Sequence, residues 1–225
     1  MKGPTNPQAR QSLLSHIDPQ VTMPQLQGIN GIITEVELSE LVSSVAVGKA
    51  AGEDGITGDF YHSFASSLLP ILRDVFREIW STQVIPKSFR KSLMVLLYKK
   101  GAREDLQNWC PISLINLDAK LFSSFLLNRI RPFLPDLIAE EQAGFIQGHS
   151  IQCHIHALHI VLSKVGSCSL QGAIVSLDQK KAYDLMEWEF MLEALAKYGF
   201  SCTWFSIIKA LFQGVASGWI YVNGF

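Results

Sequence analysis

Apolar residues in this chain recur mostly at every third or fourth position, and only short runs break that rhythm. Helical spacing lines up one face of a helix, whereas a short unbroken apolar run fits a buried strand. Strand-like segments are SLMVLLY (92–98), AIVSL (173–177) and WIYVNG (219–224), the last opening a strand and turn. Few strands among many helices, with no strict β-α alternation, predict a helix-rich α+β fold.

Thr34 and Glu37 fit a capping box, and Leu38, Leu41, Val42 and Val45 follow at helical spacing, which predicts a helix over about 35–45. In residues 60–80, Leu68, Leu72, Val75, Phe76 and Ile79 form one apolar face. Pro70 is expected to separate a short helix from a longer one, since proline suits a first helical turn. Further helices are expected at 121–134, from Ile151 to about Val165, at 187–198 with Gly199 as its cap, and at 203–213. Residues 1–31 hold four prolines, Pro4, Pro7, Pro19 and Pro24, with no apolar period, and read as a linker. GKAAGEDGITG (48–58) and AEEQAGFIQGHS (139–150) read as loops.

The chain is 48% hydrophobic and 17% charged, with net charge −1. These values exclude a disordered protein and a globally basic nucleic-acid binder, so any nucleic-acid contact must use a local patch. Cys110, Cys153, Cys168 and Cys202 form no C-x-x-C pair, which fits reduced thiols in an intracellular protein. No apolar stretch is long enough to cross a membrane, and the first residues lack a signal-peptide core. The expected location is the nucleus or cytoplasm, with no membrane partner.

One local patch stands out. Lys87, Arg90, Lys91, Lys99, Lys100 and Arg103 surround SLMVLLY, and no acidic residue intervenes until Glu104. Such a cluster fits either a solvated surface or a phosphate-binding face. Asp178 ends the AIVSL run, where a carboxylate can hold a metal ion or cap a turn. Cys153, His154, His156 and His159 suggest a metal cluster, but only His156 and His159 share a helical face by i,i+3 spacing, and surface histidines are the commoner explanation. GKAAGEDG is no phosphate loop, because Ser43 and Ala50 stand where that motif needs glycine and a hydroxyl. Trp188, Trp204 and Trp219 read as packing residues.

The order of six short motifs adds weight: KAAGEDGI (49–56), LLYKKG (96–101), NWCPISLIN (108–116), QAGFIQG (142–148), LDQKKAYD (177–184) and VNG (222–224). From about Ile32 to Phe225 this resembles the reverse transcriptase of LINE-type (non-LTR) retrotransposons. That family reads K-S-P-G-P-D-G, L-x-x-K-K-G-D, N-W/Y-R-P-I-S-L-L-N, Q-x-G-F-x-x-G-R and L-D-x-x-K-A-F/Y-D in the same order. The resemblance implies a right-hand polymerase, with a helical extension at 32–86 and fingers plus part of a palm at 87–225. It implies an RNA template, a DNA primer and deoxynucleotide triphosphates as partners, with Mg²⁺ (or Mn²⁺) as cofactor.

By the same resemblance Asp178 is the first palm aspartate, and the Gln179 carbonyl lies near its metal. Tyr183 is the steric gate that refuses a 2′-hydroxyl, the group that distinguishes RNA from DNA precursors. Asp184 is structural, capping the turn before the next helix. Lys99 and Lys100 meet triphosphate or template. Lys87, Arg90, Lys91 and Arg103, the rest of the basic cluster, are expected from its charge to face nucleic acid, and the resemblance places Gln142, Gly144 and Phe145 in a loop near the template. Phe145 equally suits a core position.

The chain also departs from the pattern. Cys110 replaces the arginine of N-W-R-P-I, His149 that of G-R, and Glu53 a proline. An arginine fork holds phosphate oxygens and cysteine cannot, so weaker nucleotide binding is expected. No Gln-Gly-x-Pro or Ala-Asp-Asp motif follows, so a truncated copy that holds Mg²⁺ poorly is expected. A non-catalytic RNA or primer-template binding module and a functionless relic are the alternatives to an active polymerase domain.

Overall fold

The computed structural model describes residues 6–18, 20–168, 173–179, 182, 185–213 and 217–221. In chain order the elements are α1 (Pro7–Ser15), α2 (Met23–Ile29), α3 (Glu35–Ser43), α4 (Gly58–Ser63), α5 (Ala65–Thr82), β1 (Lys91–Tyr98), β2 (Trp109–Ile115), α6 (Leu117–Ile130), α7 (Leu134–Leu137), α8 (Ile151–Ser167), α9 (Trp188–Tyr198), α10 (Cys202–Gln213) and β3 (Ser217–Tyr221). Contacts divide the chain into two units, residues 1–29 with 130–200, and residues 30–129 with 201–225.

In the second unit, Thr34 is extended and its hydroxyl accepts the Glu37 N–H at 3.3 Å, which starts α3. The other half of the expected box is used differently, because the Glu37 carboxylate accepts both prongs of Arg129 at 2.9 and 3.0 Å. Ser201 starts α10 in the same way, its hydroxyl accepting the Trp204 N–H at 3.3 Å. A helix leaves its first N–H groups without internal partners, and a short polar side chain answers one of them.

The core of this unit is aromatic. Phe76 on α5 meets Phe122 edge-on at 4.9 Å and Phe125 at 5.5 Å, while Trp80 meets Trp204 at 6.1 Å. Phe76, Phe122, Phe125, Trp204 and Ile207 are almost wholly buried. The same unit holds a sheet in the order β2-β1-β3, with β1 antiparallel to β2 and parallel to β3. β2 lies at an edge of the sheet, the place where Pro111 is tolerated.

Arg129 joins α6 to the segment before α3. Its side chain is 7% exposed. It donates to the Gly31 and Ile32 carbonyls at 2.8 and 3.1 Å, forks onto Glu37, and lies 4.3 Å over the Phe125 ring.

In the first unit, Asn6 starts α1 by accepting from Gln8 and Ala9. Arg10 on α1 forks onto Glu193 of α9 at 3.0 and 2.7 Å. The N–H groups of Gln20 and Val21 both donate to the Tyr198 carbonyl. Gly199, at φ +95, closes α9 as the sequence predicts.

Four features differ from the sequence reading. Residues 7–15 and 23–29 are helices, with Leu14 and Ile29 buried, although prolines mask their pattern. Pro7 and Pro24 sit within first turns, where the missing N–H costs no helical bond. The break before the long helix falls at Phe64, and Pro70 lies inside α5. β2 occupies residues read only as a motif. AIVSL is no strand: residues 173–179 have no regular structure and are all exposed. An apolar run becomes a strand only where a neighbour takes its backbone hydrogen bonds, and none of the described strands pairs with it.

Two outcomes test this packing. Arg129→Met leaves the Glu37 charge and two carbonyls without their donor, and should cost about 3 kcal/mol in the urea transition of the unit that contains it. Burial, followed by the Asp118 and Asp54 charges, pushes the Tyr61 hydroxyl up to about 12. An unfolded tyrosine ionises near pH ~10, so between about 10 and 12 the unfolded state loses a proton that the folded state keeps. Stability is therefore whole below that window and falls as pH rises through it. Tyr61→Phe should flatten this decline in urea midpoints; an unchanged slope would mean that Tyr61 ionises as if solvated.

Candidate nucleotide and nucleic-acid site

The β1–β2 ladder runs from Ser92 opposite Ile115 to Tyr98 opposite Trp109, so residues 99–108 form the tip of a hairpin. Lys99, Lys100 and Arg103 are exposed there. The tip is tied at many points. The Lys99 N–H donates to the Asn108 carbonyl at 2.8 Å, and Asn108 Nδ2 donates to the Ala102 carbonyl at 2.8 Å. Trp109 Nε1 donates to the Arg103 carbonyl at 2.9 Å, and the Tyr98 hydroxyl to the Gly101 carbonyl. Tyr98 and Trp109 meet edge-on at 5.4 Å, and the Arg103 guanidinium lies 5.0 Å above the Tyr98 ring. The Asn108 and Trp109 of the NWCPISLIN motif thus hold backbone, and Cys110 beside them is half-buried opposite Leu97.

The rest of the basic patch is mixed. Lys87 is exposed. Arg90 is half-buried, and its Nε is buried without a hydrogen-bond partner. Lys91 pairs with Glu53 at 3.3 Å. The patch that is unbroken in sequence therefore meets an acid from the 48–58 loop, at the position where the family has proline. Further along that loop, the Asp54 N–H donates at 3.4 Å to Oδ1 of Asn116, a buried residue directly after β2. A Cβ on Gly52 would fall 2.3 Å from that oxygen, so glycine is required there. The two motifs meet at this contact.

Gln142, Gly144 and Phe145 lie in the first unit, in a loop closed on itself. His149 Nδ1 bonds the Gln142 carbonyl at 2.7 Å, and Gln142 Nε2 donates to the Gly144 carbonyl at 3.3 Å. Phe145 is 93% exposed at φ +66, a left-handed conformation uncommon for a bulky residue. It is not a core residue.

Asp178 and Gln179 lie in the exposed segment 173–179 of the same unit, which has no regular secondary structure. Gln179 lines a cavity of about 400 Å³ together with Arg10, Leu13, Met186 and Phe190. That the N-terminal helix borders this segment is a feature that no sequence motif signals. Tyr183 and Asp184 lie outside the described residues. The hairpin cations and the Asp178 segment belong to different units, and each set stands within its own. Among the described residues no three histidines, cysteines or carboxylates gather as a metal site, Cys153, His154, His156 and His159 included. All four cysteines are free, and no described helix is long and apolar enough to cross a membrane.

Residues 97–223, more than half of the chain, match the sequence profile of the reverse transcriptase (RNA-dependent DNA polymerase) family, and the chain belongs to that family. Its relatives place it on the non-LTR, LINE-type branch. It is 27% identical to the transposon TX1 uncharacterized 149 kDa protein of Xenopus laevis over 93% of this chain and 16% of that protein. It is 28% identical to the RNA-directed DNA polymerase from mobile element jockey of Drosophila funebris, over 81% of this chain and 20% of the relative. A probable RNA-directed DNA polymerase from transposon BS of Drosophila melanogaster is 22% identical over 79% of this chain and 20% of its own length. The chain spans about a fifth or less of each of these relatives. Enzymes of this family use divalent metal ions.

The loop geometry gives a direct test. Phe145→Gly should leave thermal stability unchanged or raise it by up to about 1 kcal/mol, because it relieves a left-handed backbone and buries nothing less. A loss of about 3 kcal/mol or more, the cost of emptying a core phenylalanine site, would place the ring inside.

Proposed function

We propose that this chain is the fingers and first part of the palm of a right-hand polymerase that copies RNA into DNA. In this reading residues 32–86 form its helical extension and residues 87–225 the polymerase part. The reading rests on one observation above others: the family match covers residues 97–223 and so includes the exposed carboxylate Asp178, which the LDQKKAYD motif's resemblance assigns as the metal-binding palm aspartate.

Asp178 and the Gln179 carbonyl would hold Mg²⁺, or Mn²⁺ in its place. Both offer hard oxygen donors, and Mg²⁺ commonly takes one or two carboxylates together with substrate phosphates and water. Bound there, the ion would offset charge on the triphosphate of an incoming deoxynucleotide. The chain's own part is to bind and orient. Lys99 and Lys100 present two exposed ammonium groups for phosphate. Lys87, Arg90, Lys91 and Arg103 line the approach of the RNA template and DNA primer, where each phosphate contact adds salt-dependent affinity. Gln142, Gly144 and Phe145 form the loop beside the template. Phe145 offers an open ring on which an unpaired base can stack. Tyr183 gates the sugar. Cys110 supplies no charge, so the triphosphate depends more heavily on the two lysines.

The reaction is assigned to the polypeptide that carries this segment in its reading frame. RNA-templated primer extension by that polypeptide should fall at least about a hundredfold in Asp178→Asn, since a metal ligand contributes several kcal/mol to charge stabilisation. RNA affinity, set by the cations, should hold. An unchanged extension rate would remove Asp178 from the metal site; intact RNA binding with no extension in either protein would favour a binding module.

A further inference from the structure

A connection as long as residues 99–108 exceeds the usual hairpin loop and would by itself leave its lysines mobile. Here three consecutive carbonyls, those of Gly101, Ala102 and Arg103, are each taken by a side chain: the Tyr98 hydroxyl, Asn108 Nδ2 and Trp109 Nε1. Asn108 reaches both sides of the lysine pair. Its carbonyl accepts the Lys99 N–H and its side chain holds the Ala102 carbonyl, both at 2.8 Å. Between these points the chain turns at Gly101, where φ is +95 and a Cβ would fall 2.6 Å from Asn108 Nδ2.

These clamps bury little. Residues 99–107 are exposed throughout, so the hydrogen bonds add little to any core. What they fix is the backbone that carries Lys99 and Lys100. We propose that Asn108 and Trp109, with Tyr98, are positioning residues that hold the Lys99–Lys100 pair toward a triphosphate. This rests on reading those lysines as phosphate contacts. A long, flexible side chain loses rotamer freedom when it binds an anion, and a backbone already fixed leaves less to lose. The clamp touches no phosphate. Its effect therefore exists only while the lysines are present, which separates positioning from a general structural role.

The purified chain is titrated with tripolyphosphate and with a deoxynucleoside triphosphate, and folding of each variant is followed by circular dichroism melting. Lys99→Ala with Lys100→Ala should weaken binding about tenfold or more, the scale of one charge-assisted hydrogen bond. Asn108→Ala and Trp109→Phe, the latter removing only the N–H donor, should each weaken it about fivefold with the lysines in place. Neither should change the affinity further in the background that lacks both lysines. Clamp variants that weaken binding equally in both backgrounds, or in neither, overturn positioning while the lysine reading stands. If the double lysine variant binds like the wild type, or the wild type does not bind, the phosphate reading fails and the inference falls with it.

Discussion

The second unit depends on one buried charge. Arg129 reaches from α6 into the segment before α3 and finds a carboxylate, two carbonyls and an aromatic face there. A guanidinium has enough donors to satisfy all three oxygen-bearing groups at once, and its flat face suits the Phe125 ring. Of the apolar side chains in residues 31–37 only Ile33 is buried, while Ile32 and Val36 are exposed, so the arginine adds a polar anchor to that single apolar one. The arginine thus decides where α3 enters, and α3 contributes Leu38, Leu41 and Val42 to the core. An apolar replacement could fill the volume but could not satisfy the Gly31 and Ile32 carbonyls. Removing the arginine is costly because the half-buried Glu37 carboxylate and Gly31 carbonyl lose their donor together, while the exposed Ile32 carbonyl can turn to water.

Much of the fold was legible because its signals are local. Thr34, Gly199 and the apolar spacing of α5, α6 and α10 act through neighbours three or four residues away, so the sequence alone carries them. The Glu37 carboxylate shows the limit. Sequence spacing suggests a reciprocal cap, yet its partner is Arg129, 92 residues further on. AIVSL fails for the same reason in reverse. Its residues have the composition of a strand, but a strand needs a second backbone, and composition cannot say whether one is adjacent. The helices within 1–31 were obscured by prolines that count as breakers in the middle of a helix and as starters in its first turn.

The site divides along similar lines. Residue identities at the motifs were readable, but their surroundings were not. Lys91 belongs to a run of cations in sequence and to an ion pair with Glu53 in space. That pair also accounts for the departure at Glu53: the acid occupies a proline's position and finds a cation within reach. Phe145, equally suited to a core or a surface by its type, is 93% exposed and has a left-handed backbone. Asn108 and Trp109 belong to a motif whose resemblance points to nucleotide chemistry, and their polar atoms hold the hairpin's own carbonyls.

This division of labour bears on Cys110. In an antiparallel pair, side chains directly opposite share a face, and successive residues alternate. Tyr98 and Trp109 therefore project to one side of the hairpin, and Leu97 and Cys110 to the other. An arginine at position 110 would add its charge on the face opposite the aromatic clamp. Its absence leaves the clamp itself intact, because none of the carbonyl bonds at 101–103 involves residue 110. The substitution removes a charge without loosening the scaffold that presents the lysines. A polymerase hairpin can lose one cation in this way and keep its shape. Substituting Gly101 or Asn108, by contrast, would disturb the loop backbone that carries Lys99, Lys100 and Arg103.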